Sequence, residues 1–290
     1  VGTLPKLIGV IHLPPLPGSP GASHLHPARA LAEAGTWAVK EAQVLASNGF
    51  DGIILENFGD IPFYKTVVPS ETISSMAVLS AAIRQAVPKI QLGINVLRND
   101  AKAALAIAAV TGADFIRVNV LSGVAATDQG LIEGTAAEIL RERIRLNAEN
   151  VLILADVHVK HAQTLSSDSI ALAIEEVSGR GGADGVIVSG STTGRMADAS
   201  VLREASEAAL HCGVPLYIGS GASIEVLPEL AKASIRIIVG SSLRKNNKAG
   251  EPLEIKKVRL FAAAFKKSVQ KHAPSSAKRA KSKKKLPRRK

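Results

Sequence analysis

The chain has 290 residues, 46% of them hydrophobic and only 3% aromatic, so its core must be built from Ala, Val, Ile and Leu. Its one cysteine, Cys212, excludes an internal disulfide and suits a reducing compartment; beside Gly213, after a helical run, its expected role is packing. The formal charge of +11 is unevenly spread: residues 266–290 hold twelve Lys and Arg and no acid, leaving 24 basic and 25 acidic groups elsewhere.

Short apolar runs alternate with helical stretches along the chain. Leu7–Leu13 reads as a buried strand leading into a Pro-rich loop, and Arg29–Ser47 as a helix stopped by Asn48-Gly49. Gly52–Leu55 is the second strand, Thr72–Val87 a helix ending before Pro88, and Ile90–Val96 the third strand. Ala101–Val110 is an Ala-rich helix closed by Gly112, and Phe115–Val120 the fourth strand, followed by a long loop to Gly134. Ala136–Asn147 is helical, Val151–Val157 the fifth strand, Ser169–Val177 helical and Gly185–Val188 the sixth strand. Ala199–His211, Glu225–Ala231 and Lys256–Val269 are helical, with strands at Leu216–Ile218 and Ile235–Val239 between them. The strands are continuous apolar runs, as expected when both faces are buried. Eight such units predict an α/β fold, a (β/α)8 TIM barrel, over residues 1–270. An open doubly wound sheet is disfavoured because the first strand carries no Gly-rich dinucleotide fingerprint. Residues 271–290 are expected to be a disordered basic tail, since Lys, Arg, Ser and Ala cannot bury apolar surface.

In such a barrel the chemistry gathers at the C-terminal strand ends. Here those ends are polar or glycine-rich: His12; Glu56-Asn57, with Asp60 beyond; Asn95, followed by Arg98-Asn99-Asp100; and Arg117 with Asn119. The fifth strand turns polar at Asp156, His158 and Lys160, which share a face because alternate side chains of a strand point the same way. Three readings of this trio stand side by side. One is acid/base catalysis, with Lys160 holding a substrate anion or forming a Schiff base. Another is a divalent metal held by Asp156 with Glu56 or Asn95. The last is a buried ion pair that closes the barrel. His161 has the opposite parity and is expected to pack or cap. Glu56 needs a partner, Arg117 is a candidate partner for Glu56 or Asp156, and His12 either contacts substrate or orients a neighbour. His24 and His26 are expected to be solvated.

The sixth strand ends in Ser189-Gly190-Ser191-Thr192, the seventh in Gly219-Ser220-Gly221 and the eighth in Gly240-Ser241-Ser242. Glycine lets backbone N–H groups approach an oxyanion, and loops seven and eight are where these barrels often hold phosphate. Phosphate binding is therefore expected at Gly190, Gly219, Ser220, Gly221, Gly240, Ser241 and Ser242. Thr127–Gly134 is long for a βα loop and is expected to cover the pocket.

The chain resembles the BtpA/SgcQ family of barrel proteins. The matching stretches are Ile11–Pro20 (IHLPPLPGSP), Glu56–Asp60 (ENFGD), Asn95–Asp100 (NVLRND), Phe115–Val120 (FIRVNV), Asp128–Gly134 (DQGLIEG), Ala155–His161 (ADVHVKH) and Val188–Gly190 (VSG). The resemblance covers roughly residues 7–265 and implies a barrel like those of the ribulose-phosphate-binding group. The family name derives from a role in photosystem I biogenesis, other members look like sugar-operon enzymes, and the resemblance implies no particular reaction. The chain departs from the family pattern in two places: Leu121 stands where relatives typically carry a histidine, and the basic tail is an addition.

The expected function is an enzyme acting on a phosphorylated sugar or nucleotide-like small molecule. Glu56, Asp156, His158 and Lys160 are the catalytic candidates, and His12, Asn95, Arg117, Asn119 and Ser189 the substrate-binding ones. No cofactor is required by the sequence, with a divalent metal as the alternative. Two other readings compete: a non-catalytic assembly or regulatory factor, and a polyanion binder acting through residues 274–290 on nucleic acid or an anionic membrane. No apolar stretch approaches the ~20 residues of a membrane span, and Val1–Gly9 lack the pattern of a secretory signal. A cytoplasmic location is expected, with peripheral membrane association and homo-oligomerisation as further expectations.

Overall fold

The computed structural model describes residues 3–157, 162–164, 169–189, 198–219 and 221–272. In chain order the first half comprises β1 (Leu7–His12), α1 (Pro27–Ser47), β2 (Gly52–Glu56), α2 (Ser70–Ala86), β3 (Gln91–Asn95), α3 (Ala101–Thr111) and β4 (Phe115–Val118). Then come β5 (Val124–Thr127), β6 (Gly130–Glu133), α4 (Ala136–Arg145), β7 (Leu152–Val157), β8 (Ala162–Thr164) and α5 (Ile170–Glu175). The chain continues through β9 (Gly185–Val188), α6 (Ala199–His211), β10 (Leu216–Ile218), α7 (Leu227–Lys232), β11 (Arg236–Val239) and α8 (Ile255–His272). Eight parallel strands close a barrel in the order β1-β11-β10-β9-β7-β4-β3-β2. The eight strands and eight helices read from the sequence are present with ends shifted by a few residues.

Two details differ from the sequence reading. The expected loop after β4 is a hairpin of β5 and β6, turned at Asp128-Gln129 and extended by β8 into a three-stranded antiparallel sheet. Its strands are only three or four residues long, too short for alternation to register, and it has its own small core of Val120, Ala125 and Ile132. The helix expected over Ser169–Val177 ends at Glu175 and widens into a π-type turn over Glu176–Arg180.

Parity along the strands explains both cores. Ile8, Val10, Ile54, Phe115, Leu154, Ile187, Tyr217 and Ile238 fill the barrel interior. Their neighbours of opposite parity, such as Ile11, Ile53, Leu55, Ile94, Ile116 and Ile153, pack against the helices. Gly93 is required inside: a Cβ there would lie 2.2 Å from the Phe115 ring, which takes its space. Outside, Ala30, Ala34, Ala38 and Ala42 give α1 a flat stripe that lets it lie close to the sheet.

The N-terminal end of the barrel carries a repeated tether. Gly49-Phe50-Asp51, Gly112-Ala113-Asp114 and Gly182-Ala183-Asp184 each precede a strand, with the glycine at positive φ. Each aspartate accepts a backbone N–H from the preceding barrel strand: Leu7 at 2.7 Å, Leu92 at 2.8 Å and Ile153 at 2.8 Å. Arg84 and Arg143 bind Asp114 and Asp184 in turn. At the equivalent place at the start of β11 stand Ser234-Ile235-Arg236, and Arg236, its first residue, donates to Leu4 O instead. α8 packs on α7 and α1, and its second half borders Asn48-Gly49 at this same end of the barrel.

Candidate functional site

The interior parity that fills the barrel with aliphatic residues continues to its C-terminal mouth, where the inward positions turn polar. His12, Glu56 and Asn95 stand abreast, because β1 pairs His12 with Glu56 and β2 pairs Glu56 with Asn95. Arg117, Asn119 and Asp156 continue the row along β4 and β7. Arg117 is the hub. Its Nε and Nη2 donate to Asp156 Oδ2 and Oδ1 at 3.0 and 3.1 Å, and its Nη1 donates to Glu56 Oε1 at 2.9 Å. Burial works against the Arg117 charge, but Asp156 and Glu56 outweigh it and hold the guanidinium more firmly protonated than an ordinary arginine. Asn95 donates to Glu56 Oε1 at 3.0 Å and Asn119 to Asp156 Oδ2 at 2.9 Å. Arg117 therefore pairs with both of the carboxylates that the sequence offered as alternatives.

The two carboxylates differ in what they have left to offer. Both Asp156 oxygens are taken by Arg117 and Asn119, and its side chain is 1% exposed. Glu56 Oε2 faces His12 Nε2 at 3.9 Å. His12 Nδ1 accepts the Gly250 N–H at 3.3 Å, which leaves the ring proton on Nε2, toward Glu56. The His12 ring also stacks on Phe58, centroids 4.5 Å apart.

The other side of the mouth is built from glycine and serine. Gly219 has no room for a side chain: a Cβ would lie 2.5 Å from Ile187 Cγ2 and 2.8 Å from Ser189 Oγ. Ser241 and Ser242 open a single helical turn, Ser241–Leu243, directly after β11, and the first N–H groups of such a turn have no partner within it. Ser242 Oγ donates to Ala222 O at 3.0 Å and so joins the loops after β10 and β11. A Cβ at Gly240 would sit 3.2 Å from the His12 ring, so this wall meets the acid–base wall at β1.

A buried clamp holds the β11 loop in place. Arg244 is fully buried, forks onto Glu41 of α1 at 2.8 and 2.9 Å, and donates to Val10 O at 2.8 Å. Leu253 N–H donates to the same Glu41, whose pKa burial raises against the lowering effect of Arg244. On the β2 side Asp60 accepts Leu16 N–H at 2.8 Å and the Asn57 amide at 3.1 Å, pinning the Pro-rich loop; burial raises its pKa too.

The two walls enclose a cavity of about 250 Å³. His12, Glu56, Asn95, Arg117, Asn119, Ser189, Gly219, Gly221, Gly240, Ser241 and Ser242 all line it. Asp156 sits behind Arg117 instead. His158, Lys160, Gly190 and Ser220 lie outside the described residues, as do His161, Ser191, Thr192 and residues 273–290. Sequence reasoning passed over Phe58, Phe63, Leu97 and Ala249, which also line the cavity, and named Arg98, another lining residue, only as a polar residue beyond the third strand, without a role. They sit on loops, where no periodicity tells which way a side chain points; the ENFGD and NVLRND stretches were the available signal. Leu121 is buried in the core between barrel and helices, away from the cavity lining. His24 and His26 are exposed, and His26 Nδ1 caps α1 by accepting Ala28 N–H. Cys212 packs half-buried at the end of α6. The expected lid is the β5–β6 hairpin; its tip residue Asp128 lies near enough to favour the Arg98 charge. Among the described residues no cluster of three or more His, Cys, Asp or Glu is arranged to hold a metal, and the Arg117 guanidinium stands between Glu56 and Asp156. No helix among them is long and apolar enough to cross a membrane.

Solved structures share the architecture at low identity. Thiamine phosphate pyrophosphorylase from Pyrococcus furiosus matches with a TM-score of 0.55 and 14% identity, covering 93% of this chain and 97% of that one. A 3-hexulose-6-phosphate synthase matches at 0.53 and 15%, covering 91% and 99%. These likenesses establish the fold, a TIM barrel. Sequence relatives are nearer. The photosystem I biogenesis protein BtpA of Synechocystis sp. is 45% identical over 89% of this chain and 87% of its own length. An uncharacterised protein of Thermococcus kodakarensis is 44% identical over 87% and 92%, and a mitochondrial one of Caenorhabditis elegans 38% over 83% and 85%. The model of the BtpA family matches residues 3–267, from the first turn before β1 into α8, and the chain belongs to that family.

Proposed function

We propose that this BtpA-family barrel is an enzyme acting on a phosphorylated sugar or nucleotide-like small molecule held at its C-terminal mouth. The observation that carries this reading is the composition of the cavity: a carboxylate–guanidinium–imidazole network on one wall and a glycine–serine wall on the other. The second wall suits a phosphoryl group, which would take N–H donors from the loops after β10 and β11. The first wall suits proton transfer. Glu56 is oriented through Oε1 by Arg117 and Asn95, which leaves Oε2 to take or give a proton beside His12. Asp156 acts as the positioning residue for Arg117. His158 and Lys160 remain proposed members of the same site on the sequence parity they share with Asp156.

The name of the Synechocystis relative supports a second reading, a non-catalytic assembly role. The C. elegans relative favours the small-molecule reading, because an animal has no photosystem to assemble. The test is a thermal-shift panel of phosphorylated sugars and nucleotides. At least one should raise the midpoint, and Ser241→Asp, which puts a negative charge in the phosphate wall, should remove the shift without lowering the unliganded midpoint. A panel with no stabilising compound at millimolar concentration would reject the reading. The twelve basic residues of 266–290 support a separate polyanion-binding activity, checked by loss of heparin retention on truncation after residue 272.

A further inference from the structure

A second cavity, of about 330 Å³, lies beside the mouth. It is built from the loops that follow β1, β2 and β3 and from the first turn of α2, so it stands at the same end of the barrel. The loop after β2 divides its side chains between the two spaces. Glu56 and Phe58 line the mouth, Asn57 and Asp60 line the second cavity, and Phe63 lines both, as does Leu97 of the loop after β3. Phe63 and Leu97 therefore form the boundary where one space meets the other.

The walls of the second cavity are fixed by the fold. Asn57 Oδ1 accepts Leu97 N–H at 2.7 Å and ties the β2 loop to the β3 loop. Asp60, through Leu16 N–H, ties the β2 loop to the Pro-rich loop. Farther along the β2 loop, Arg98 N–H donates to Tyr64 O at 3.0 Å and Val68 N–H to Asp100 Oδ2 at 2.9 Å. Gly59 lets the Pro-rich loop come close, since a Cβ there would lie 2.3 Å from Pro15 N. A space held by so many ties needs little ordering when a ligand enters.

Its chemistry differs from that of the mouth. Pro62, Phe63, Tyr64, Val68 and Leu97 give it apolar, partly aromatic walls. Asn57 and Asp60 are engaged in the loop ties. Thr72, only 6% exposed, lines the cavity and carries a hydroxyl with no hydrogen-bond partner among the described residues. A flat ring with polar atoms on its edge suits this space: its faces pack on the apolar walls and its edge meets the hydroxyl. A bare sugar phosphate in the mouth would leave the space unfilled, and a purely aliphatic group would bury the Thr72 hydroxyl without a partner.

We propose that the second cavity takes the heterocyclic base of a nucleotide whose sugar and phosphate occupy the mouth. The inference rests on the phosphate reading above and chooses within it, for a nucleotide over a simple sugar phosphate. Phe63 and Leu97 stand where the base joins the sugar, and Tyr64 and Thr72 are the residues that recognise the base.

The test is an equilibrium titration of the full chain with ribose 5-phosphate and with the 5′-monophosphates of adenosine, guanosine, cytidine and uridine. The wild type should bind at least one nucleotide roughly tenfold or more tighter than ribose 5-phosphate. Tyr64→Ala changes a side chain that is 58% exposed, so the fold should survive it. It should cut the preference to about threefold or less while ribose 5-phosphate affinity stays within about twofold. Thr72→Val keeps the volume, removes the hydroxyl and should weaken the nucleotide alone by roughly fivefold. Loss of preference in either variant, with ribose 5-phosphate unchanged, supports the placement. A preference that survives both variants, or a loss that strikes both probes equally, would overturn it. If sugar phosphates bind and no nucleotide binds tighter, this inference alone falls; if no phosphorylated sugar or nucleotide binds at all, the phosphate reading falls and takes it along.

Discussion

Arg117 and Arg244 are both buried guanidiniums forked onto a carboxylate, one inside the barrel and one outside it. Arg244 meets Glu41, Val10 O and the Glu251 carbonyl and is 0% exposed; protein surrounds it on every side. Arg117 meets two carboxylates, and its side chain keeps 12% exposure toward the cavity. The first arrangement joins α1 to the β11 loop and so fixes the shape of the mouth from behind. The second orders carboxylates on the mouth itself and turns Glu56 Oε2 toward His12. The same pairing chemistry closes a sealed joint at Arg244 and, at Arg117, orders a carboxylate whose second oxygen faces His12 across the cavity lining.

That contrast can be broken by substitution. Glu41→Gln or Arg244→Met leaves a buried partner without its counter-charge and should cost about 3–5 kcal/mol in chemical denaturation. Asp156→Asn should come next, about 2–3 kcal/mol, because Arg117 keeps Glu56 but loses its bidentate partner. Glu56→Gln should cost only about 1 kcal/mol, since Arg117 keeps Asp156, yet lower turnover by roughly a hundredfold or more. If Glu56→Gln unfolds the protein as readily as Glu41→Gln does, the distinction between the two arginine sites is wrong. The smallest effect is a pH dependence. Burial raises the Asp60 pKa, so the folded carboxyl keeps its proton to higher pH than the unfolded one, and stability falls as pH rises from about 4 through the folded value. Asp60→Asn should flatten that slope in denaturation midpoints measured between pH 4 and 7.

The sequence makes one of these sites legible and hides the other. Glu56, Asn95, Arg117 and Asn119 are readable because a strand alternates: once aliphatic residues mark the inward parity, polar residues of that parity must line the mouth. Parity places Asp156 in the row but not behind Arg117, because it does not tell which of two neighbours a guanidinium chooses. Glu41 and Arg244 lie 203 positions apart, one on a helix and one on a loop, and no local pattern links them. Phe58, Phe63 and Arg98 are on loops, where periodicity carries no direction. The β5–β6 hairpin failed for a related reason, since four-residue strands are too short to show alternation.

The course of α8 gives the molecule two separate ends. Its second half lies beside Asn48-Gly49, at the face where the strands begin, while the cavity opens at the face where they finish. The C-terminal end of α8 at His272 thus lies at the pole opposite the pocket. A ligand at the mouth and any partner of the segment that follows α8 would therefore attach at opposite poles, so removing the basic residues after His272 should leave binding at the mouth unchanged.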